Sequence, residues 1–250
     1  MIELYNVVLY QPIYNFLVFL YNVIPGHDIG LAIIALTIVV KLILLPFSMQ
    51  GLKSQKALTD IQPKMEELKR KYKDDKEKLA AETMRLYKEQ KVNPLSSCLP
   101  LLIQFPFLIA VYQAFRMGLS SPDANLLYSF IGNPGTINPI SFGFLDLAKA
   151  NVFLAVLAGV AQFFQTKMLS TKKPAKVTEG SKDENMLANM NKSMLYLMPV
   201  MTVIIGVSLP GGLTLYWFVT TVLTIVQQKL LFKPKTTPEV EIIPPPAIAK

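Results

Sequence analysis

The chain has 250 residues, 52% of them hydrophobic and 17% charged, and carries 25 Lys or Arg against 17 Asp or Glu for a net charge of +8. This balance favours one polytopic membrane domain over a soluble one. A lone cysteine, Cys98, rules out a disulfide framework, and one histidine, His27, cannot make a metal site.

The N-terminus has neither a basic n-region nor a small-residue cleavage motif, so no removable signal peptide is expected. Residues 4 to 24 are apolar but interrupted by Pro12, with Gln11, Asn15 and Asn22 at i, i+4 and i+11 on one helical face. Residues 1–27 are therefore expected to form an amphipathic helix lying on the outer membrane surface. PGHD at 25 to 28 reads as a break, with His27 in the turn and Asp28 as N-cap of the next helix.

Residues 29 to 48, IGLAIIALTIVVKLILLPFS, are twenty residues long, which at 1.5 Å rise is about 30 Å, the thickness of a bilayer's hydrocarbon core. The first transmembrane helix is placed at 28–48. It contains one cation, Lys41. A charge there costs about 2.5 to 3.5 kcal/mol on insertion scales and faces a bundle interior or a water-filled cavity, so Lys41 is a site candidate.

After Pro46 the composition changes, and residues 49–95 hold twelve Lys or Arg against eight Asp or Glu. Ile61, Met65, Leu68 and Tyr72 repeat at helical spacing, as do Ala80, Met84 and Tyr87, while Glu66 with Arg70 and Glu67 with Lys71 are i,i+4 pairs. With KDD at 73 to 75 as the turn, this predicts a soluble two-helix hairpin with a narrow apolar seam.

A second span is predicted over 96–117, where Pro100 and Pro106 imply a kinked helix. Residues 118–149 read as a loop whose short apolar stretches rest on the membrane surface. Further spans follow at 150–169, 193–209 and 212–231, with a loop at 170–192 and a Pro-rich disordered tail at 232–250. The fold class is thus all-α, with five transmembrane helices.

Cation counts set the orientation. Segments 49–95, 167–192 and 229–250 fall on one side and hold 22 of the 25 Lys and Arg, whereas Arg116 and Lys149 lie on the other. The hairpin, the 170–192 loop and the C-terminus are therefore expected in the cytoplasm and the N-terminus outside, in a bacterial plasma (inner) membrane. The excess charge is a topology signal and an affinity for anionic lipid, and it requires no nucleic-acid partner.

Polar residues inside the spans fall into stripes. Thr37, Lys41 and Ser48 share one face of the first, Gln104 sits mid-way in the second, and Ala155, Ala158, Gln162 and Gln165 line one face of the third. Thr214, Trp217, Thr221, Thr224 and Gln228 form a stripe on the fifth, beside Tyr216. Converging on Lys41, these stripes predict a hydrophilic cavity within the membrane. No H-E-x-x-H, G-x-S-x-G or P-loop motif occurs, so no catalytic residue, cofactor or metal is expected. A small-solute channel or carrier is the alternative function, although five spans do not divide into transporter-like repeats.

VVKLILLP at 39 to 46, KYKDDKEKL at 71 to 79, VNPLSSCLPLLIQFPFLIAVY at 92 to 112, SFGFLDLAKAN at 141 to 151 and LPGGLTLYWFVTTVLTIVQQ at 209 to 228 resemble the YidC family of membrane protein insertases. The resemblance runs from about residue 4 to residue 232. It implies a groove open to cytosol and lipid and closed towards the outside, with a cytoplasmic hairpin after the first span. It places Lys41 where the family usually has arginine, Trp217 at an aromatic groove position and Gln162 or Gln165 at a polar one; Thr37, Gln104, Tyr216 and Thr221 are expected to line the same groove. It also implies nascent membrane proteins as substrates and admits the Sec translocon and the ribosome as partners. The large extracytoplasmic domain of some members, a lipoprotein-type N-terminal cysteine and a strongly basic tail are not expected here.

Overall fold

The computed structural model describes residues 2–73, 75–93, 99–118, 124–169 and 195–232, so the 170–192 loop and the tail beyond residue 232 lie outside the described residues. The fold is mostly helical. Its α-helices are α1 Ile2–Tyr5, α2 Gln11–Val23, α3 Ile29–Ile43, α4 Leu45–Lys71, α5 Lys76–Glu89, α6 Leu99–Gly118, α7 Val152–Leu169, α8 Leu195–Gly206 and α9 Gly211–Leu231. A short antiparallel pair, β1 Ile140–Ser141 and β2 Leu145–Asp146, lies in the connection between α6 and α7.

Between α1 and α2 the backbone makes one π turn, Asn6–Tyr10, closed by Gln11 N–H donating to Asn6 O. Pro12 in the first turn of α2 has no N–H to give, and a wide turn just ahead of it absorbs the mismatch. Asp28 caps α3 by accepting from Gly30 N at 2.8 Å and Leu31 N at 3.1 Å. That helix ends at Ile43, five residues short of the boundary expected from hydropathy. Pro46 explains the early end. It has no N–H to donate to Leu42 O four residues back and its ring crowds that carbonyl, so Leu44 leaves the helix at φ −84° and ψ 1° and α4 starts at Leu45 with the proline in its first turn. The two axes meet at 71°.

In α4 and α5, Ile61 and Leu86 are buried between the two helices while Met65, Leu68 and Tyr72 are half-buried. Met84 and Ala80 point outward, which corrects the expected α5 seam: Leu79, Thr83 and Leu86 form the inner row. Asp75 caps α5 through Lys78 N at 3.0 Å. Among the described residues the ion pairs here join Lys56 to Asp60, Lys78 to Asp75, and Arg85 to Glu89 and Glu82, and not Glu66 to Arg70 or Glu67 to Lys71.

The core gathers Tyr14, Val18, Ile33, Leu36, Val111, Leu147 and Tyr216 from α2, α3, α6, α9 and the α6–α7 connection. Helices α7 and α8 approach closely through small residues. A Cβ on Gly159 would collide with Val203 Cγ2 and lie 3.1 Å from Pro199 O, and one on Gly206 would lie 2.9 Å from Ala155 Cβ. Rows of large apolar side chains face outward: Leu31, Ile38 and Leu42 on α3, Val156, Val160 and Phe164 on α7, and Leu197, Val200, Met201 and Ile204 on α8. Such contiguous exposed apolar area is the mark of a lipid or protein contact surface and not of a water-facing one. By length and composition α7 can cross a membrane alone, and the bent pair α3–α4 qualifies if taken as one span.

The connection 124–151 is a fastened plate. Asn15, buried on α2, donates from Nδ2 to Leu126 O at 2.7 Å and accepts from Tyr128 N at 2.7 Å. Gln11 donates to Leu126 O at 3.2 Å and Asn22 to Gly132 O at 2.7 Å. The amide face of the N-terminal helix, expected at a wet surface, is thus spent on loop carbonyls. The connection also covers three helix starts. Asp28 accepts from Phe142 N at 2.6 Å and from the Ser141 hydroxyl, Asn151 Oδ1 caps α7 through Leu154 N at 3.0 Å, and Gly211 N and Gly212 N of α9 donate to Lys149 O at 2.8 Å and Leu147 O at 2.9 Å. The N–H groups of Leu154, Gly211 and Gly212 are helix-start donors that would otherwise lack a partner. Within the plate, Lys149 pairs with Asp146 at 3.0 Å and its hydrogen bond holds the Asp146 carboxyl below the ordinary aspartate range.

Candidate functional site

Helix α9 carries the polar side chains that the neighbouring helices meet. Tyr216, Thr220, Thr224 and Gln227 follow one another at four, four and three residues, a spacing that stacks them on one face. Tyr216 is buried, and its hydroxyl accepts from Gln104 Nε2 of α6. Thr224 Oγ1 accepts from Lys41 Nζ of α3 at 3.0 Å while donating to Thr220 O at 2.8 Å. Ser48 of α4 donates to Gln227 Oε1 at 3.5 Å. At the other end of the helix, Thr214 Oγ1 donates to Gly206 O of α8 at 3.2 Å.

Lys41 is half-buried, and its partner is a neutral hydroxyl. Among the described residues no carboxylate lies within ion-pair distance of its amine, although the sequence holds 17 Asp and Glu. An ammonium has three donors, so two are left for a ligand or water. A lone amine beside a row of hydroxyls and amides can take an acidic or carbonyl-rich segment by hydrogen bonding. No group of three or more His, Cys, Asp or Glu that could hold a metal occurs among the described residues.

The other candidates take different places. Thr37 is fully buried and donates to Ile33 O at 2.7 Å within its own helix, one turn from Lys41. Thr221 is buried and donates to Trp217 O at 2.9 Å, and Trp217 itself is half-buried. Gln162 and Gln165 on α7 are half-buried, and no hydrogen bond among the described residues joins either to Lys41. Three further residues belong to the α9 face: Thr224 and Gln227, which bind Lys41 and Ser48, and Gln228, fully buried with neither amide atom hydrogen-bonded among the described residues. Thr224 and Gln228 lie on the stripe visible in the sequence. Gln227 is signalled there only by its three-residue step from Thr224.

Residues 19–238 match the sequence profile of the family described as 60Kd inner membrane protein. The chain belongs to that family. Among curated members of the 60Kd inner membrane protein family, one from Fusobacterium nucleatum subsp. nucleatum, named membrane protein insertase YidC, is 33% identical over 227 residues, covering 90% of this chain and 97% of its own length. A Listeria monocytogenes relative, membrane protein insertase YidC 1, is 36% identical over 216 residues, with 84% of this chain and 66% of the relative covered. A Haemophilus influenzae relative of the same name as the first is 32% identical over 226 residues, which is 89% of this chain and 36% of the relative. The chain thus spans nearly all of one relative, about two thirds of the second and about a third of the last.

Proposed function

We propose that this chain is a membrane protein insertase, which receives nascent hydrophobic segments together with short hydrophilic flanks and releases them into the bilayer. The observation that carries the reading is Lys41: an amine inside an apolar helix, bonded to Thr224 and unmatched by any carboxylate among the described residues. Membership of a family whose curated relatives are named insertases gives the charge its purpose.

In this reading α3, α6, α7, α8 and α9 cross the membrane, the α4–α5 hairpin is cytoplasmic, the N-terminus is outside and the C-terminus inside. The α6–α7 connection closes the outer end. A groove lined by Lys41, Thr37, Gln104, Gln162, Gln165, Tyr216, Trp217 and Thr221 opens to the cytosol and to lipid. The hairpin, with the cations near it, meets substrate, anionic lipid, the ribosome or the Sec translocon.

The energetics need no nucleotide and no covalent step. About twenty apolar residues release on the order of 6 to 12 kcal/mol on entering lipid, at 0.3 to 0.6 kcal/mol each, against about 2.5 to 3.5 kcal/mol for each charge carried to the centre. Polar side chains in the groove reduce that cost, and an outside-positive potential draws acidic flanks outward at about 2.3 kcal/mol per charge per 100 mV.

Insertion into vesicles holding the purified chain tests this. Lys41→Met is expected to slow insertion of substrates with acidic flanks about tenfold, equivalent to 1.4 kcal/mol, with neutral flanks unaffected and Lys41→Arg active. Equal insertion of acidic flanks by Lys41→Met removes the role given to the charge. Solute flux without insertion favours the channel or carrier.

A further inference from the structure

The α6–α7 connection turns its phenylalanines away from the protein. Ser141 and Leu145, paired across the hairpin, are buried beneath it, while Ile140, Phe142 and Phe144 project from the other face. Phe144 is 79% exposed, and Phe130, stacked on Tyr128, is 81% exposed. Phe142 holds a positive φ of 53°, a left-handed conformation that bulky L-residues avoid and that Gly or Asn adopts more cheaply. Phe142 and Gly143, both at positive φ, make the tight turn that Phe144 N closes by donating to Ser141 O at 3.2 Å, and the turn leaves the Phe142 ring 42% exposed.

The position of these rings is set by hydrogen bonds already described. Asp28 ties Phe142 to the first turn of α3, and the Gly211 and Gly212 bonds tie residues 147 to 149 to the first turn of α9. The connection then runs directly into the first turn of α7, where Val152 and Phe153 are exposed. Phe142 and Phe144 are therefore held beside the first turns of α3 and α9, while Phe130 lies in the stretch that Asn15 and Asn22 fasten to α2. Residues 124–151 contain only two charges, Asp146 and Lys149, and these neutralise each other.

We infer that the face of the connection bearing Phe130, Phe142 and Phe144 is a lipid-binding surface, seated in the headgroup and upper acyl region of the leaflet at which α3, α7 and α9 begin. This rests on the reading of α3 and α7 as membrane-spanning. Bulky apolar rings on a nearly uncharged plate suit that layer, where one side is apolar and the other wet. The plate is thereby held from both sides, by hydrogen bonds to the helix starts and by rings in the lipid.

Nitroxide labels test the placement on the full chain in phosphatidylethanolamine and phosphatidylglycerol vesicles, with Cys98→Ser removing the native thiol. Single-cysteine variants Phe144→Cys and Phe130→Cys are compared with Val156→Cys on the outward face of α7 and Asn133→Cys at an exposed polar site. Collisions with lipid-soluble oxygen relative to a water-soluble nickel chelate are expected to be several-fold higher at 144 and 130 than at 133. They are expected to be lower than at 156, in keeping with a depth of about 5 to 10 Å. Ratios at 144 and 130 equal to that at 133 overturn the inference. So does shielding of 144 from both reagents, which would mean a second copy or another protein covers the face. A water-like ratio at 156 would instead defeat the transmembrane reading itself, so the two failures are distinguishable.

Discussion

Replacing Asp28 by alanine separates the two structures that this one carboxylate joins. Its oxygens accept from Gly30 N at 2.8 Å, Leu31 N at 3.1 Å, Phe142 N at 2.6 Å and the Ser141 hydroxyl. Loss of an N-cap costs about 1 kcal/mol, and each hydrogen bond to an ionised acceptor contributes about 1.5 to 3 kcal/mol. Asp28 is only half-buried, so water restores part of the lost bonding, and the junction is expected to lose about 2 to 4 kcal/mol of local stability. Amide hydrogen exchange reads this locally. Exchange at Gly30 and Phe142 is expected to accelerate roughly 30- to 700-fold. Asp28→Asn is the discriminating companion: it keeps one carbonyl oxygen for the α3 cap but turns an NH2 toward the loop. Phe142 should then exchange fast while Gly30 and Leu31 stay protected. Unchanged exchange at Phe142 in Asp28→Ala, or equal acceleration across all helices, would refute the reasoning.

Gln228→Met removes two buried polar atoms that have no hydrogen-bond partner among the described residues, each costing about 1 to 3 kcal/mol. A higher thermal unfolding midpoint is expected, and a lower one counts against the orphaned amide. Gly159→Val drives a side chain into Val203 and Pro199 O and is expected to cost about 1 to 3 kcal/mol by overpacking. Native-like stability of that variant in a detergent melt would show that α7 and α8 can part at no cost. For Asp146 the folded carboxyl titrates below its unfolded value of about 3.9, so its contribution is present above that pH and is lost as pH falls through the lower folded value. Exchange at Ala148 N, which donates to Asp146 Oδ1 at 3.0 Å, should be flat from pH 7 to 5 after correction for intrinsic rates and rise only below about pH 4. A rise near neutrality would contradict it.

Local signals predicted local structure well. Asp28 after PGH was readable as a cap because a cap is chosen by residues within three positions of it, and KDD marked the turn from which Asp75 caps α5. The break at Leu44 was concealed, because hydropathy stays high through Phe47 and the run reads as one span of 28–48, although Pro46 removes an N–H from the helix there. On α5, Ala80, Met84 and Tyr87 fit a helical row as well as Leu79, Thr83 and Leu86 do, and only the facing helix decides between them. The targets of Gln11, Asn15 and Asn22 were not legible, because the carbonyls they hold lie about a hundred residues away in a segment with no periodicity. The stripe on α9 was visible from spacing. Its division into separate bonds to α3, α4 and α6 depends on how neighbouring helices lean, which no single-helix pattern encodes.

The attachment of α9 to its neighbours has a consequence for how such a wall opens. Interdigitated leucines separate all together or not at all, because pulling one out of its socket uncovers the side chains around it. Single hydrogen bonds accepted by Tyr216, Thr224 and Gln227 behave otherwise: the donors on Gln104, Lys41 and Ser48 can each turn to a passing peptide carbonyl or a water, while the oxygen left on α9 takes a peptide N–H or a water. Interhelical bonds of this kind contribute about 0.6 kcal/mol on average inside a membrane, since alternative partners are at hand. Around Lys41 the contact can loosen bond by bond, while the burial of Leu213, Leu215 and Tyr216 in the core keeps the start of α9 seated on α3. Stepwise exchange of partners, and not a hinge or a nucleotide-driven stroke, is the motion this arrangement makes cheap.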